Sequence, residues 1–205
     1  RPFALAETTT VSVLARRPNG DTSLRFSATF HKIPDGRRIT LSARYANQYN
    51  AGGGDALIDT LRGGPEFRSG RWQGYLGTDL TAVVDLGSPR EIFRVGMGFL
   101  QDVGSWILMP RRVRFEASED GVTYRPLGTA THDVSDRDIR PVTRDVAVTT
   151  PAMRARYVRV TVERYGRLPD WHAGKGEESW FFTDEIVVEG RTTGTVATRA
   201  KTKRR

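Results

Sequence analysis

The chain has 205 residues, 38% hydrophobic and 27% charged, enough for one good core and a small additional unit. It contains no cysteine, which excludes disulfides and thiol chemistry, and no apolar run approaches the roughly 20 residues that cross a bilayer. The formal net charge is +8, but six of these charges belong to residues 191–205, which contain no acid. We expect this tail to be disordered and solvated, and we do not expect nucleic acid as a partner.

Two alternating, β-branched segments at residues 8–16 and 24–30 predict a hairpin around the Pro18–Asp21 turn. A lone hairpin is marginal in water, so we expect residues 1–37 to be the C-terminal remnant of a small β-sandwich domain. The chain does not begin with Met and its first residues carry no signal-peptide cleavage site. We therefore interpret it as part of a longer protein.

Residues 38–190 are predicted to form a second, all-β domain after the turn at Pro34-Asp35-Gly36. Short apolar or alternating segments recur between Gly- and Asp-containing turns, and none has a helical period of useful length. This spacing is typical of a jelly-roll β-sandwich. The predicted strands are 82–86, 92–99, 113–118, 123–127, 143–148, 156–163 and 186–189.

The stretch from Tyr49 to Leu86 combines loop chemistry with a buried strand. Three consecutive glycines lead to an acid, Asp59, and the segment then presents an arginine and two aromatic residues among further glycines. Such a combination next to a rigid strand favours a binding edge.

Several segments together resemble the discoidin fold, also called the coagulation factor five/eight type C domain, which includes the family 32 carbohydrate-binding modules. The resemblance covers roughly residues 38–190. Its main motifs are Ala56-Leu57-Ile58-Asp59, Trp72-Gln73-Gly74-Tyr75, Asp85-Leu86-Gly87, Ser118-Glu119-Asp120-Gly121 and Ala155 to Val160. The hairpin is similar to the small β-domain that follows the catalytic barrel in bacterial family 20 glycoside hydrolases, the β-N-acetylhexosaminidases.

The resemblance implies a structural calcium ion, because discoidin domains often hold one between their Ala-x-x-Asp loop and a Glu near the last strand. On this chain the side-chain ligands would be Asp59 and Glu185. Backbone carbonyls would come from Ala56, Leu61 and Arg62. The alternative is that Asp59 caps its own loop and Glu185 binds backbone amides. Thr60 and Gly64 depart from the family pattern, which usually has a Gly and a hydroxyl residue there.

The predicted sugar site consists of loop aromatics and planar polar groups, since an aromatic ring covers the C–H face of a sugar while polar groups bind its hydroxyls. Trp72 and Trp171 are expected at the surface, whereas Trp106 and Trp180 are expected in the core. We expect His172 to be a loop hydrogen-bonder rather than a ligand contact. The predicted site residues are Arg71, Trp72, Gln73, Tyr75, Trp171 and His172, with Gln101 as a further polar candidate.

Catalysis within this chain is not expected. The adjacent pair Asp184-Glu185 opens a predicted strand, where neighbouring side chains face opposite ways and could not both reach one substrate. The three histidines are scattered and have no ligand spacing, which argues against zinc.

The sequence therefore predicts a non-catalytic carbohydrate-binding module attached to a β-N-acetylhexosaminidase-like glycoside hydrolase. Its partners would be a glycan or terminal sugar and the catalytic domain of the same polypeptide. The resemblance implies an extracellular or periplasmic bacterial protein. The alternative function is a structural or protein-interaction module that packs on the catalytic domain without binding sugar.

Overall fold

The computed structural model describes residues 5, 7, 9–30, 32–33 and 36–191. This part of the chain is built from β-strands, with two short 3₁₀ helices at Ala56–Ile58 and Val103–Ser105. No helix in it is long and apolar enough to cross a membrane. The strands are β1 Thr9–Val13, β2 Phe26–Phe30, β3 Arg38–Leu41, β4 Gln73–Leu76, β5 Leu80–Gln101, β6 Arg112–Ser118, β7 Arg125–Ala130, β8 Val142–Glu163 and β9 Trp180–Arg191.

The predicted hairpin is present as a separate two-stranded antiparallel sheet, in which β1 pairs with β2 from Thr9↔Phe30 to Val13↔Phe26. One face carries Ser12 and Ser27, whose hydroxyls hydrogen-bond at 2.6 Å. The opposite face carries Val13 and Phe26, which are 55% and 69% exposed. The predicted boundary at Pro34-Asp35 and the basic tail after Arg191 lie outside the described residues.

The other strands form one seven-stranded antiparallel system in the order β4-β9-β5-β8-β6-β7, with β3 paired to β5. The first part of β5 pairs with β3 and with the second part of β8. The remainder of β5 pairs with β9 and with the first part of β8. The register divides the strands into the two layers of a sandwich, which confirms the predicted all-β jelly-roll fold.

The sequence patterns predicted four short strands where the structure has two long ones, β5 and β8. Gly87 was expected to end the strand 82–86, because a glycine weakens a strand interior. Instead, the β5–β8 ladder shifts register between Asp85 and Arg90, and Gly87 adopts a φ of +81° that a glycine tolerates. The strand therefore bends and continues.

The core lies between the two layers and follows the alternation of the strands. Along β5, Leu80, Ala82, Val84 and Leu86 are fully buried, while the residues between them are half-buried. Strand β6 alternates in the same way, as predicted, with Val113, Phe115 and Ala117 inside. A smaller aromatic cluster of Trp72, Leu100, Ile107 and Phe182 closes the end of the sandwich where β5 ends and β9 begins.

Candidate functional site

Trp72 lies inside the protein, and the prediction that it is a surface residue is wrong. Its side chain is 1% exposed. The indole Nε1 donates a hydrogen bond to the carbonyl of Gly64 at 3.0 Å, and the ring lies directly against Gly63. Trp72 therefore supports the segment 62–72 from beneath and has no free face for a sugar ring. Its Gly- and charge-rich neighbours in sequence favoured exposure, whereas the ring packs against Gly63, which is distant from it along the chain.

Tyr75 and Gln73 are also fully buried. The Tyr75 ring stacks on Phe181 with a centroid distance of 4.9 Å, and its hydroxyl donates to Gln73 Oε1 at 2.8 Å. The amide Nε2 of Gln73 donates in turn to the carbonyl of Gly53 at 2.6 Å. Burial raises the pKa of Tyr75 well above its ordinary value. These two residues hold the Gly-rich loop against the sheet, and of the predicted 71–75 cluster only Arg71 is exposed.

Trp171 and His172 do not pack with Trp72: Trp171 packs against the cluster of Val103, Leu108 and Leu168, and the His172 ring lies 6.3 Å from that of Trp106. Trp171 is half-buried, and the guanidinium of Arg137 lies 5.0 Å from its ring centre. His172 Nδ1 accepts from the amide of Gly174 at 3.0 Å, so the proton is on Nε2, which donates to the carbonyl of Val103 at 2.9 Å. The prediction that His172 is a loop hydrogen-bonder is confirmed. Gln101 is buried and donates to the carbonyls of Ser135 and Asp138.

Trp106 was predicted to be a core residue, yet its side chain is 38% exposed. It follows the 3₁₀ helix Val103–Ser105 and adopts a left-handed conformation with φ of +67°. Bulky residues rarely adopt this conformation, and such strained positions concentrate at functional sites. The ring lies against Gly174, where a Cβ atom would come within 2.8 Å of it. The fold thus holds the Trp106 ring in a fixed position at the surface.

The exposed side of Trp106 contributes to an open concavity of about 330 Å³, which we call the aromatic cleft. Tyr49 contacts Phe182 and Trp180 with ring-centre distances of 4.8 Å and 5.4 Å. At the edge, the Arg68 guanidinium lies 4.5 Å from the centre of the Phe67 ring. The cleft is lined by Tyr49, Phe67, Arg68, Gly104, Ser105, Trp106, Ile107, Trp180 and Phe182.

The aromatic cleft combines ring surfaces with a guanidinium and a hydroxyl group. This is the chemistry expected of a sugar site, but the residues that supply it are not the ones predicted from the sequence. The loop at 102–106, the segment 62–72 and the start of β9 meet there, and none of them is adjacent in sequence. The Trp106 position could have been found from sequence only by recognising that Val103-Gly104-Ser105 forms a turn.

The predicted calcium ligands Asp59 and Glu185 lie close together near the Ala56–Ile58 turn. Asp59 Oδ1 accepts the amide of Leu61 at 2.8 Å, and Glu185 Oε2 accepts the amide of Thr60 at 3.0 Å. Burial, and then the charges of Asp59 and Asp184, raise the pKa of Glu185 to about 8. Two carboxylates beside backbone groups fit the oxygen chemistry of calcium. In the described part of the chain, however, no three acidic or histidine residues group as a metal site.

Asp184 serves a different purpose from its neighbour Glu185. Its Oδ2 accepts the Nε–H of Arg62 at 2.9 Å and the amide of Gly63 at 2.8 Å. Arg62 also pairs with Asp145. Burial raises the pKa of Asp184, although the Gly63 amide and Arg62 oppose this. Both acids are almost fully buried and fasten residues 60–63 to β9, so neither is placed at the surface.

The family of this chain follows from a comparison with family models. Residues 39–180, more than half of the chain, match the model of the F5/8 type C domain. The chain belongs to this family. A comparison of the F5/8 type C domain described here with curated proteins finds no match.

Solved structures similar to this F5/8 type C domain include an f-lectin (fucolectin) from the serum of Morone saxatilis, the striped bass. It is 19% identical with a TM-score of 0.51, and the match covers 78% of this chain and 49% of the lectin chain. CpGH89CBM32-5 from Clostridium perfringens, in complex with GalNAc-β-1,3-galactose, is 15% identical with a TM-score of 0.48, covering 76% and 97%. A fragment of a putative chitobiase from Bacteroides thetaiotaomicron is 18% identical with a TM-score of 0.49, covering 80% and 94%. At 19% identity the likeness to the f-lectin is one of fold.

Proposed function

We propose that this F5/8 type C domain is a carbohydrate-binding module and that the aromatic cleft is its sugar-binding site. The observation that carries the proposal is Trp106, whose ring is held at the surface by an unfavourable backbone conformation and by contact with Gly174. The side chain is 38% exposed, so part of its large apolar surface is open to a ligand. This surface is suited to covering the C–H face of a sugar ring.

The polar groups of the cleft complete the proposed site. Arg68 offers N–H donors, and Ser105, whose hydroxyl donates to Asp102, offers its oxygen as an acceptor. Both lie on loops that the sandwich holds in place, which limits the entropy lost when a ligand binds. The open shape of the cleft favours a terminal sugar or a short part of a glycan chain.

We also propose that the module is attached to a β-N-acetylhexosaminidase-like glycoside hydrolase and targets it to glycans, in the extracellular space or the periplasm. The support is that the hairpin resembles the small β-domain of such enzymes. The hairpin also precedes the sandwich, which is the order found in those enzymes. Weak binding would then raise the local concentration of the catalytic domain at its substrate.

The binding proposal is tested by isothermal titration calorimetry with N-acetylglucosamine, galactose, fucose and chitin oligomers. We expect saturable binding that is lost in Trp106→Ala and retained in Trp171→Ala. The second variant is the matched control, because Trp171 lies outside the aromatic cleft. Loss of sugar binding in Trp171→Ala but not in Trp106→Ala would instead place the sugar site at the loop around Trp171 that the sequence predicted. Absence of binding to every ligand, with a folded protein, would contradict the function.

A structural or protein-interaction module is the second candidate, and one observation favours it. The apolar face of the hairpin exposes Phe26 and Phe30, at 69% and 53%, together with Leu24 at 95%. A face of this kind usually contacts protein. Cross-linking of the full-length parent protein tests this candidate: cross-links from Lys32 to a catalytic domain, without any glycan affinity, would support it.

We further propose that calcium binds between Asp59 and Glu185, with backbone carbonyls of Ala56, Leu61 and Arg62 as the additional ligands. The support is the proximity of two carboxylates, one of them buried, in a loop rich in backbone groups. Its part would be structural, tying residues 56–62 to β9.

A further inference from the structure

We infer that the aromatic cleft selects sugars that carry an anionic substituent, either a carboxylate or a sulfate ester, and that Arg68 is the residue that reads it. The inference rests on the proposed sugar-binding function and adds the charge class of the ligand. It is carried by the charges that line the cleft and by the placement of Arg68.

The lining of the cleft is positively charged. Of its nine residues, Arg68 carries a charge and none is acidic. Two acids contact lining residues without lining the cleft themselves: Glu66 Oε1 accepts the backbone amide of Arg68 at 2.9 Å, and Asp102 Oδ2 accepts the Ser105 hydroxyl at 3.0 Å. The charged side chain that an anion meets in the lining itself is that of Arg68.

The guanidinium of Arg68 is exposed and lies 4.5 Å from the centre of the Phe67 ring, a cation–π contact that leaves its N–H groups available to a ligand. Other arginines of the domain already use these groups: Arg156 binds Asp85 and Arg159 binds Glu116, each through two hydrogen bonds. Within the described residues no carboxylate forms an ion pair with Arg68.

A planar guanidinium fork matches the two oxygens of a carboxylate, or two oxygens of a sulfate, better than the scattered hydroxyls of a neutral sugar. Trp106 would cover the apolar ring face of the same sugar from the other side of the cleft. Both residues are thus needed together: the ring for any sugar, and the guanidinium for the acidic group.

The experiment compares matched pairs of sugars on the full chain by calorimetry or by NMR titration. The pairs are glucuronic acid against glucose, galacturonic acid against galactose, and the sulfate ester of N-acetylglucosamine against N-acetylglucosamine. We expect the acidic member to bind about tenfold more tightly, since hydrogen bonds to an ionised acceptor are about twice as strong as neutral ones. A preference for the uronic acids alone, or for the sulfate ester alone, shows which of the two anionic groups Arg68 binds.

Two variants and a change of ionic strength test whether the preference for acidic sugars depends on Arg68. Arg68→Gln is expected to bring the acidic sugar to the affinity of its neutral counterpart and to leave the neutral sugar nearly unchanged. Arg154→Gln, an exposed arginine outside the cleft, is the matched control and should keep the full preference. The preference should also shrink with added salt, because the Debye length falls from about 10 Å at 0.1 M to about 3 Å at 1 M.

The outcomes separate this inference from the function on which it rests. Equal affinity for acidic and neutral sugars, both lost in Trp106→Ala, overturns the anionic preference and leaves the carbohydrate-binding proposal intact. An acidic preference that survives Arg68→Gln, or falls equally in Arg154→Gln, shows a diffuse charge effect and also overturns it. No binding of any sugar to the wild-type protein overturns both.

Discussion

The indole ring of Trp72 occupies the space beside Gly63 so closely that a Cβ atom at position 63 would lie 2.1 Å from the ring. The same indole donates to the carbonyl of Gly64. Segment 62–72, which carries Phe67 and Arg68 to the aromatic cleft, is therefore shaped by a glycine and a buried tryptophan.

The first prediction is that Gly63→Ala destabilises the protein. The added methyl group must displace either the Trp72 ring or the backbone, and overpacking of this kind typically costs about 1 to 3 kcal/mol. The neighbouring Gly64→Ala is the matched control, because a Cβ atom there meets nothing within 4 Å. Urea unfolding of both variants measures the difference. Equal stability of the two would contradict the close contact.

The second prediction concerns the left-handed conformation of Trp106. Trp106→Gly removes the ring and also relieves the backbone, because glycine adopts positive φ without strain. We expect sugar affinity to fall at least about tenfold, or about 1.4 kcal/mol, in both Trp106→Gly and Trp106→Ala, and Trp106→Gly to be the more stable of the two by about 1 kcal/mol, because only alanine keeps the strained positive φ. Calorimetric titration and a thermal melt of the same sample measure both. A Trp106→Ala variant as stable as Trp106→Gly would contradict the backbone strain, and unchanged sugar affinity in both variants would contradict a role of Trp106 in binding.

The third prediction is a pH dependence that arises from Glu116 and Arg159. Arg159 donates two hydrogen bonds to Glu116, at 2.7 Å and 2.8 Å, and these hold the pKa of the Glu116 carboxyl below its ordinary value. Because the pKa is lower in the folded state, the stability that this pair contributes is present above the unfolded value of about 4.3 and is lost as the pH falls through the folded one.

Glu116→Gln should therefore lower the free energy of unfolding at neutral pH by about 1 kcal/mol, a small value because both side chains are partly exposed. At a pH below the folded pKa the variant and the wild type should be equally stable. Glu119→Gln, which removes a largely exposed ion pair with Arg154, should change stability by less than about 0.5 kcal/mol throughout. A Glu116→Gln effect that does not depend on pH would point to packing rather than charge.

The fourth prediction tests the proposed calcium ion. Adding calcium to protein treated with a chelator should raise the unfolding midpoint, by up to about 2.7 kcal/mol in stability at a calcium concentration 100 times the dissociation constant. The gain should be larger at higher pH, since carboxylate ligands must be deprotonated. Asp59→Asn should abolish it, whereas Asp55→Asn, an exposed acid of the same loop, should not. A wild-type unfolding midpoint that does not change when calcium is added would contradict the proposed calcium site.

The sequence allowed the fold to be predicted because alternation is a local property. The buried positions of β6 and the hairpin register follow from residues that are close together along the chain. The aromatic residues were harder to place, because their exposure depends on which distant loop meets them. Trp72 has glycine neighbours and is buried under them, whereas Trp106 precedes an apolar run and is exposed. Composition around a residue describes its neighbours in sequence, while burial depends on neighbours in space.

The continuity of β5 and β8 was missed for a related reason. A glycine and a proline usually stop a strand, but a β-bulge lets the chain bend there and resume its pairing. That outcome depends on the partner strand, which a single segment does not contain. For Asp59 and Glu185 the structure shows the hydrogen bonds of the alternative, to the backbone amides of Leu61 and Thr60, and the calcium ion stays a prediction.

Strands β5 and β8 each contribute backbone to both layers of the sandwich. Neither layer can come apart while the other stays intact, because separating them would break the longest ladder of the domain in its middle. The sandwich should therefore lose its structure in one cooperative step, with no half-folded species that retains one sheet. A domain of this kind keeps the loops of the aromatic cleft at fixed distances until it unfolds as a whole, as the proposed attachment of an enzyme to its substrate would require.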